Sequence, residues 1–357
     1  SSRLSGTRRT PKAEGFGGPR MSHFPGRGPP APPSGLDDSG LDMRAIKQAG
    51  GKVLPGGDGV IIGGWKVRAR NTRILGKDAL EELEQRLGTS HLPEMVYGST
   101  LELTHESTGV KLHFNAEDAL REWLQEDLPP LKVAAAAVWE RGHKARFGDE
   151  MPKASKTRKS DGGGGGGGDR GDAWNDEEET DAYDWTFTTP YRGSVSVDVD
   201  GHVDGHVDGH PPPWTETDQR VDRGLLMERD PILFFDELTL YESELDDNGL
   251  MSVTVKVRVM PRCWYVLMRH WMRVDGVLIR LRETRFFHRM RPAGGSSTSD
   301  SPCVVVRESA RREETFEGLR MRGAPSEPGQ YPDADEAASV LLAAGGPVEM
   351  EYHALTV

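Results

Sequence analysis

Cysteine is nearly absent: the 357 residues include two, Cys263 and Cys303. Two thiols supply neither a disulfide framework nor a zinc ligand set, and their scarcity fits a reducing compartment such as the cytoplasm. No run approaches the ~18 apolar residues that a bilayer-spanning helix requires, so no membrane partner is expected. Excess positive charge is missing too, since 45 Lys and Arg face 57 Asp and Glu for a formal net charge of −12. Phosphate binding draws on clustered surplus cations, which argues against a nucleic-acid partner. Catalytic signatures are also lacking: there is no nucleophile elbow, no His-Glu-x-x-His, no P-loop, no Cys-x-x-Cys and no kinase set. Neither a catalytic residue nor a cofactor is expected, and a binding protein is the simplest reading.

What is present begins with three biased segments. Residues 1–60 form a Gly/Pro-rich stretch expected to be a disordered tail, residues 142–180 carry Gly162 to Gly168 beside an acidic run, and residues 194–217 hold a Val-Asp-Gly-His repeat. The remainder, 61–345, reads as one domain interrupted by those two inserts, with 346–357 as a C-terminal tail. The repeat places Asp200, His202, Asp204, His206, Asp208 and His210 close together, which suggests a metal-dependent protein as an alternative. A Ca²⁺ loop needs a glutamate at its twelfth position, however, and counting from Asp198 reaches Gly209. No metal site is therefore assigned.

The longest uninterrupted pattern runs from Leu250 to His288. Val253, Val255, Val257 and Val259 alternate with Ser252, Thr254, Lys256 and Arg258, the signature of a half-buried strand. Two further apolar runs, Cys263 to Val274 and Val277 to Phe287, flank Asp275-Gly276, which predicts a hairpin closed by a two-residue type I′ turn. That register sets Arg273 opposite Leu278, Trp271 opposite Arg280 and Arg269 opposite Arg282. The expected result is one mostly apolar face and one face of arginines around a tryptophan. Such a basic face fits an acidic tail or terminal carboxylate, because arginine forks pair bidentately with carboxylates. It also keeps an RNA-binding sheet in view, with bases stacking on Trp271.

Around this core the pattern predicts an α+β fold of mainly antiparallel sheets packed with several helices. An opening strand is expected at Val60–Ile62. A helix through Leu80, Leu83 and Leu87 should start at a cap on Asp78 and stop at Gly88. Leu101–Thr104 and Val110–Phe114 should pair, and Asn115 should cap a helix with Glu117 and Asp118 in its first turn. Another helix is expected from Leu131 to Gly142, an irregular or helical approach at Val221–Met227, and a strand from Ile232 with Phe234 and Phe235 buried. Beyond His288 the signal reduces to a strand at Val304–Val306 and a helix from Asp333 to Leu342. Trp185 and Tyr191, within Asp181 to Gly193, suit either a recognition surface or a strand with buried aromatics.

Leu92-Pro93-Glu94-Met95-Val96-Tyr97-Gly98, Phe114-Asn115-Ala116-Glu117-Asp118-Ala119-Leu120, Tyr183 to Thr189, Val257 to Pro261 and Arg273 to Arg280 occur in this order. Together they resemble the TIPRL family, the TIP-forty-one-like regulators of TOR signalling. The resemblance implies an α+β domain without catalytic activity that binds the catalytic subunits of type-2A protein phosphatases and receives their C-terminal tail. It implies as well a TOR-linked phosphatase-associated adaptor among the partners, and a nuclear location beside the cytoplasmic one. Partner-binding positions carried over from the family fall on Asp118, Val221, Leu281 and Glu283. The last three stand where the family pattern has isoleucine, methionine and aspartate.

Overall fold

Strict alternation along one stretch and short turn signals between the others produce two antiparallel sheets. The computed structural model describes residues 41–88, 92–122, 124–125, 187–197, 212–245, 248–290 and 303–357. In chain order the first elements are α1 (Met43–Gln48), β1 (Lys52–Val53), β2 (Gly59–Ile62), β3 (Trp65–Arg70), α2 (Lys77–Leu87), β4 (Met95–Val96), β5 (Thr100–His105), β6 (Val110–Asn115) and α3 (Ala116–Arg121). Then come β7 (Leu124–Gln125), β8 (Phe187–Thr188), β9 (Ser194–Val197), β10 (Thr215–Glu216), α4 (Arg223–Met227), β11 (Phe234–Ser243), β12 (Gly249–Met260), β13 (Cys263–Val274) and β14 (Leu278–Arg289). The chain closes with β15 (Val304–Thr315), α5 (Phe316–Met321), α6 (Ala334–Ala344) and β16 (Glu349–Thr356).

The smaller sheet has the order β1-β2-β3-β5-β6-β9, the larger β10-β16-β15-β14-β13-β12-β11-β4, and β7 pairs with β8 alone. The main core lies between the two sheets. Trp65, Val67, Leu101, Leu103, Leu112 and Phe114 of the small sheet meet the valines of β12, Trp264, Val266 and Phe286 of the large one. Trp65 packs edge-on to Trp264 at 5.1 Å between centroids, and Phe114 to Phe286 at 5.2 Å. The outer face of the large sheet is not bare. α5 and α6 cover one end of it and α4 the other, which explains why β13 and β14 are buried on both faces for most of their length.

Several local expectations hold. Gly88 ends α2 in the left-handed conformation with φ 67°, the Leu101/Val110 hairpin forms, and the Asn115 side chain accepts from the Asp118 N–H at 2.8 Å. Asp333 caps α6 through the Glu336 N–H at 2.9 Å. Others need correction. Asp78 lies in the first turn of α2 rather than at its cap, which is Gly76. Phe234 is buried as expected but Phe235 is 50% exposed, because the two fall on opposite faces of β11. α1 and β1 precede Val60, Ile46 being buried in the main core. Residues 349–356 are a strand: β16 pairs with β15 from Val304↔Thr356 to Arg311↔Glu349. The expected helix 131–142, the glycine run and the repeat at 200–210 lie outside the described residues.

The central hairpin closes differently from the expectation. Val274 pairs with Leu278, so the loop is Asp275, Gly276 and Val277, and the Val277 N–H donates to the Val274 carbonyl at 3.0 Å. Only Gly276 has positive φ, at 72°, whereas a type I′ turn requires it at both central residues. One extra loop residue moves the whole register by one. Every side chain of β14 thereby exchanges its partner across the turn.

Candidate partner-binding site

The shifted register dismantles the expected arginine–tryptophan face. Trp271 now stands opposite Leu281, Arg269 opposite Glu283 and Arg273 opposite Ile279, all on the outer side, while Met272 faces Arg280 and His270 faces Arg282 on the inner side. Trp271, Ile279 and Leu281 form a buried cluster with Leu319, Tyr331 and Leu341 from the C-terminal helices and their connection. Trp271 is 3% exposed and offers no stacking platform for a base. Arg273 is a clamp for the loop above it, donating to Asp275 at 2.6 Å and to the carbonyls of Pro328 at 2.9 Å and Tyr331 at 2.6 Å.

On the inner side Arg280 donates to Glu313 and Arg282 to the Thr189 carbonyl. Beside them His270 is fully buried. Burial, reinforced by Arg282, Arg280 and Arg311, pushes its pKa down to about 3 and keeps the ring neutral. Arg273 and Arg280 are therefore structural groups in the interior of the protein. The open basic surface read from the sequence does not form.

Glu283 sits at the centre of a chain of ion pairs on the outer side. One carboxylate oxygen accepts from Arg269 at 2.8 Å and the other from Arg285 at 2.8 Å. Arg269 continues to Asp335 on α6, Asp335 to Lys256 at 2.7 Å, and Lys256 to Glu237 at 3.1 Å. Burial works against the Lys256 charge, but hydrogen bonds to Asp335 and Glu237 outweigh it and raise the pKa. With 1% exposure Glu283 is a structural anion that ties α6 to the sheet.

Val221 is buried at the other end of the outer face with Leu225, Met260, Cys263 and Phe287. Its N–H donates to the Glu308 carboxylate at 2.7 Å. Asp222 follows and caps α4 by accepting from Leu225 at 2.9 Å. Tyr191 is a core residue whose hydroxyl donates to the His113 carbonyl at 3.3 Å, and burial pushes the phenol pKa up. Trp185 lies outside the described residues.

Asp118 differs from all of these. It sits in the first turn of α3, where the helix dipole favours a carboxylate, and three side chains converge on one of its oxygens. Asn115 Nδ2 donates to Oδ2 at 2.9 Å, Ser194 Oγ at 2.7 Å, and His113 Nε2 stands 3.0 Å away. The contact from His113 lowers the carboxyl pKa most; burial opposes it, and the Ser194 and Asn115 donors add to the lowering. Asp118 thus stays well below the usual carboxylate range.

None of these contacts uses Oδ1. The half-exposed carboxylate lines a cavity of about 500 Å³ with Leu75, Leu83, Tyr97, Thr100 and His113. An anion whose side-chain donors all reach one oxygen, on a residue that lines a cavity, is arranged to accept a further donor from outside. The sequence reading missed His113 and Ser194 as its supports. His113 lies on the neighbouring strand, Ser194 came from a stretch set aside as an insert, and neither position carries a local sign of the contact.

Among the described residues no group of three or more His, Cys, Asp or Glu could hold a metal, and no helix is long and apolar enough to cross a membrane. The site residues can be set beside known proteins. Residues 95–320 match the model of the TIP41-like family, a span that includes Asp118, Val221, Leu281 and Glu283. A TIP41-like protein of Arabidopsis thaliana is 40% identical over 291 residues, covering 80% of this chain and 88% of its own. The human TIP41-like protein is 32% identical over 226 residues, 63% of this chain and 69% of its own. A Saccharomyces cerevisiae protein named Type 2A phosphatase activator TIP41 is 27% identical over 262 residues, 73% of this chain and 64% of its own. With the family match extending over more than half of its length, this chain belongs to the TIP41-like family.

Proposed function

We propose that this protein is a non-catalytic regulator that binds the catalytic subunits of type-2A protein phosphatases and modulates their activity within TOR signalling. The names of two yeast relatives, both type 2A phosphatase activators, support a phosphatase as the partner. The observation that carries the reading to a place on the molecule is Asp118: a carboxylate ionised in advance, held through Oδ2 by His113, Ser194 and Asn115, on a residue that lines a cavity. A cationic or N–H donor of the phosphatase would complete it, and because the acceptor is already ordered, little side-chain entropy is lost on binding.

The phosphatase tail finds its contacts elsewhere than on Arg273 and Arg280, which are engaged internally. The TOR-linked phosphatase-associated adaptor stands as a further partner of the same assembly, and the cytoplasm as its place.

The test is a titration of immobilised protein with purified type-2A catalytic subunit, with and without the subunit's last residues. Binding is expected in both cases, and Asp118→Asn should weaken it about tenfold, the ~1.4 kcal/mol scale of a charge-assisted hydrogen bond. Absence of any retention by the unmodified chain would overturn the proposal.

A further inference from the structure

Among the described residues, exposed large apolar side chains are scattered over the surface, Met321 and Leu342 among them, but three fall within one run of nine residues: Met227 at 82%, Ile232 at 48% and Phe235 at 50%. This run leads from α4 into β11. The strand register extends it into a surface. Phe235 lies opposite Arg258, and Arg258 opposite Tyr265, so the three form one row across the outer face of β11, β12 and β13. Tyr265 and Leu226 both pack against the cluster beneath α4, which places that row and the end of α4 on the same buried footing, away from the α6 cap.

The charges around the row are lopsided. The acids of this neighbourhood are already consumed: Glu228 and Asp230 pair with Arg262, and Asp222 pairs with Arg289. Arg223, Arg229 and Arg258 make no ion pair with any described residue. On a chain whose net charge is −12, three guanidiniums without an ion partner among the described residues, beside exposed Met, Ile and Phe, are a local inversion of the whole. A cluster of apolar side chains left half or more exposed is the kind of surface that an assembly covers.

We infer that the patch of Met227, Ile232, Phe235 and Tyr265, framed by Arg223, Arg229 and Arg258, docks a segment of a protein partner that combines apolar side chains with carboxylates. This rests on the proposed function, and the segment belongs to the surface of the type-2A catalytic subunit. Charge selects this occupant. A second copy of the chain brings the same net −12 toward the first and is repelled at long range, whereas an acidic-apolar segment satisfies the arginines and covers the apolar centre together. Bidentate guanidinium–carboxylate contacts supply the orientation and the aromatic and thioether side chains supply the buried area.

The experiment is a binding titration of the full chain with purified type-2A catalytic subunit at two salt concentrations. It compares Met227→Ser/Phe235→Ser, Arg229→Glu/Arg258→Glu and the unmodified protein. Each double variant is expected to lower affinity at least about tenfold, as interface anchors do, while melting within about 2 °C of the unmodified chain because the altered side chains are exposed. The arginine variant should also lose most of the salt dependence. If the unmodified chain binds and both variants bind equally well, the patch is overturned and the phosphatase reading stands. If the unmodified chain does not bind, both fall. If sedimentation shows the unmodified chain self-associating and Met227→Ser/Phe235→Ser abolishing it, the patch is a contact between copies and the inference is wrong.

Discussion

Asp118 and Glu283 are both carboxylates assigned to partner contact by the family resemblance, yet they occupy opposite kinds of site. Glu283 is buried under α6 with a guanidinium on each oxygen. Asp118 is half-exposed and has all three of its side-chain donors on one oxygen. A buried carboxylate with both oxygens paired inside the fold can influence a partner only by holding the fold together. One that is partly exposed and lines a cavity can be touched. The same distinction separates Leu281 and Val221, buried in the two outer clusters, from Met227 and Phe235 at the surface.

The contrast can be broken by mutation, and the effects should fall in a clear order. Trp271→Ala removes the largest side chain of the α5–α6 cluster and should destabilise the protein by about 4 kcal/mol in denaturant unfolding. Glu283→Ala leaves Arg269 and Arg285 short of an anion in a buried setting and should cost about 3 kcal/mol by the same measurement. Whatever fraction of either variant remains folded should bind the phosphatase with nearly unchanged affinity. A folded Glu283→Ala protein that has lost binding would place Glu283 in the interface and erase the distinction.

Asp118→Asn, by comparison, should cost about 1 kcal/mol of stability or less while weakening binding. The pH dependence sharpens this further. The folded-state pKa of Asp118 lies below its ordinary value of 3.8, so its contribution is complete above that value and is lost as the pH falls below it. Acid unfolding of the unmodified chain and of Asp118→Asn should therefore differ above pH 3.8 and converge below it. The smallest effect belongs to the rim of the Glu283 network. Asp335 is 62% exposed at its side chain, and Asp335→Ala should change stability by only about 0–1 kcal/mol and more weakly as salt is added.

Much of the framework was legible because period-two alternation and capping residues are local. Val253 to Val259, the Leu101/Val110 hairpin, the Asn115 cap and the helix start at Asp333 need nothing beyond neighbouring residues. The hairpin faces were not legible, since they turn on whether Val277 ends the loop or begins the strand, and an apolar residue after Gly276 carries no mark of either. β15 was read only at Val304–Val306 because its second half is charged. Glu313 meets Arg280 and Glu314 meets Arg322 at 2.9 Å, so the strand is held by ionic partners far away in sequence instead of by an apolar stripe. β16 carries no strand signal of its own for a related reason: its register exists only once β15 is in place. The Asp118 site is legible in the sequence as one residue of a helix start, whereas the convergence of His113, Ser194 and Asn115 on its Oδ2 appears only in the fold.

The six long strands β11 to β16 lie side by side in the order in which they are translated. Each hairpin from β11 to β14 closes over a few residues, so this part of the sheet can zip locally, one strand onto the last, with little loop entropy lost at each step. Two short strands join the large sheet through distant pairings: β10 pairs Thr215 with Ala354 on β16, and β4, from furthest upstream, pairs Met95 with Glu242 and Val96 with Tyr241. In pulsed hydrogen exchange during refolding, amides of β12 to β14 should gain protection first and those of β4 late. The corner that carries Asp118 would then be assembled after the sheet that carries Glu283, which makes binding competence a late event on the folding path.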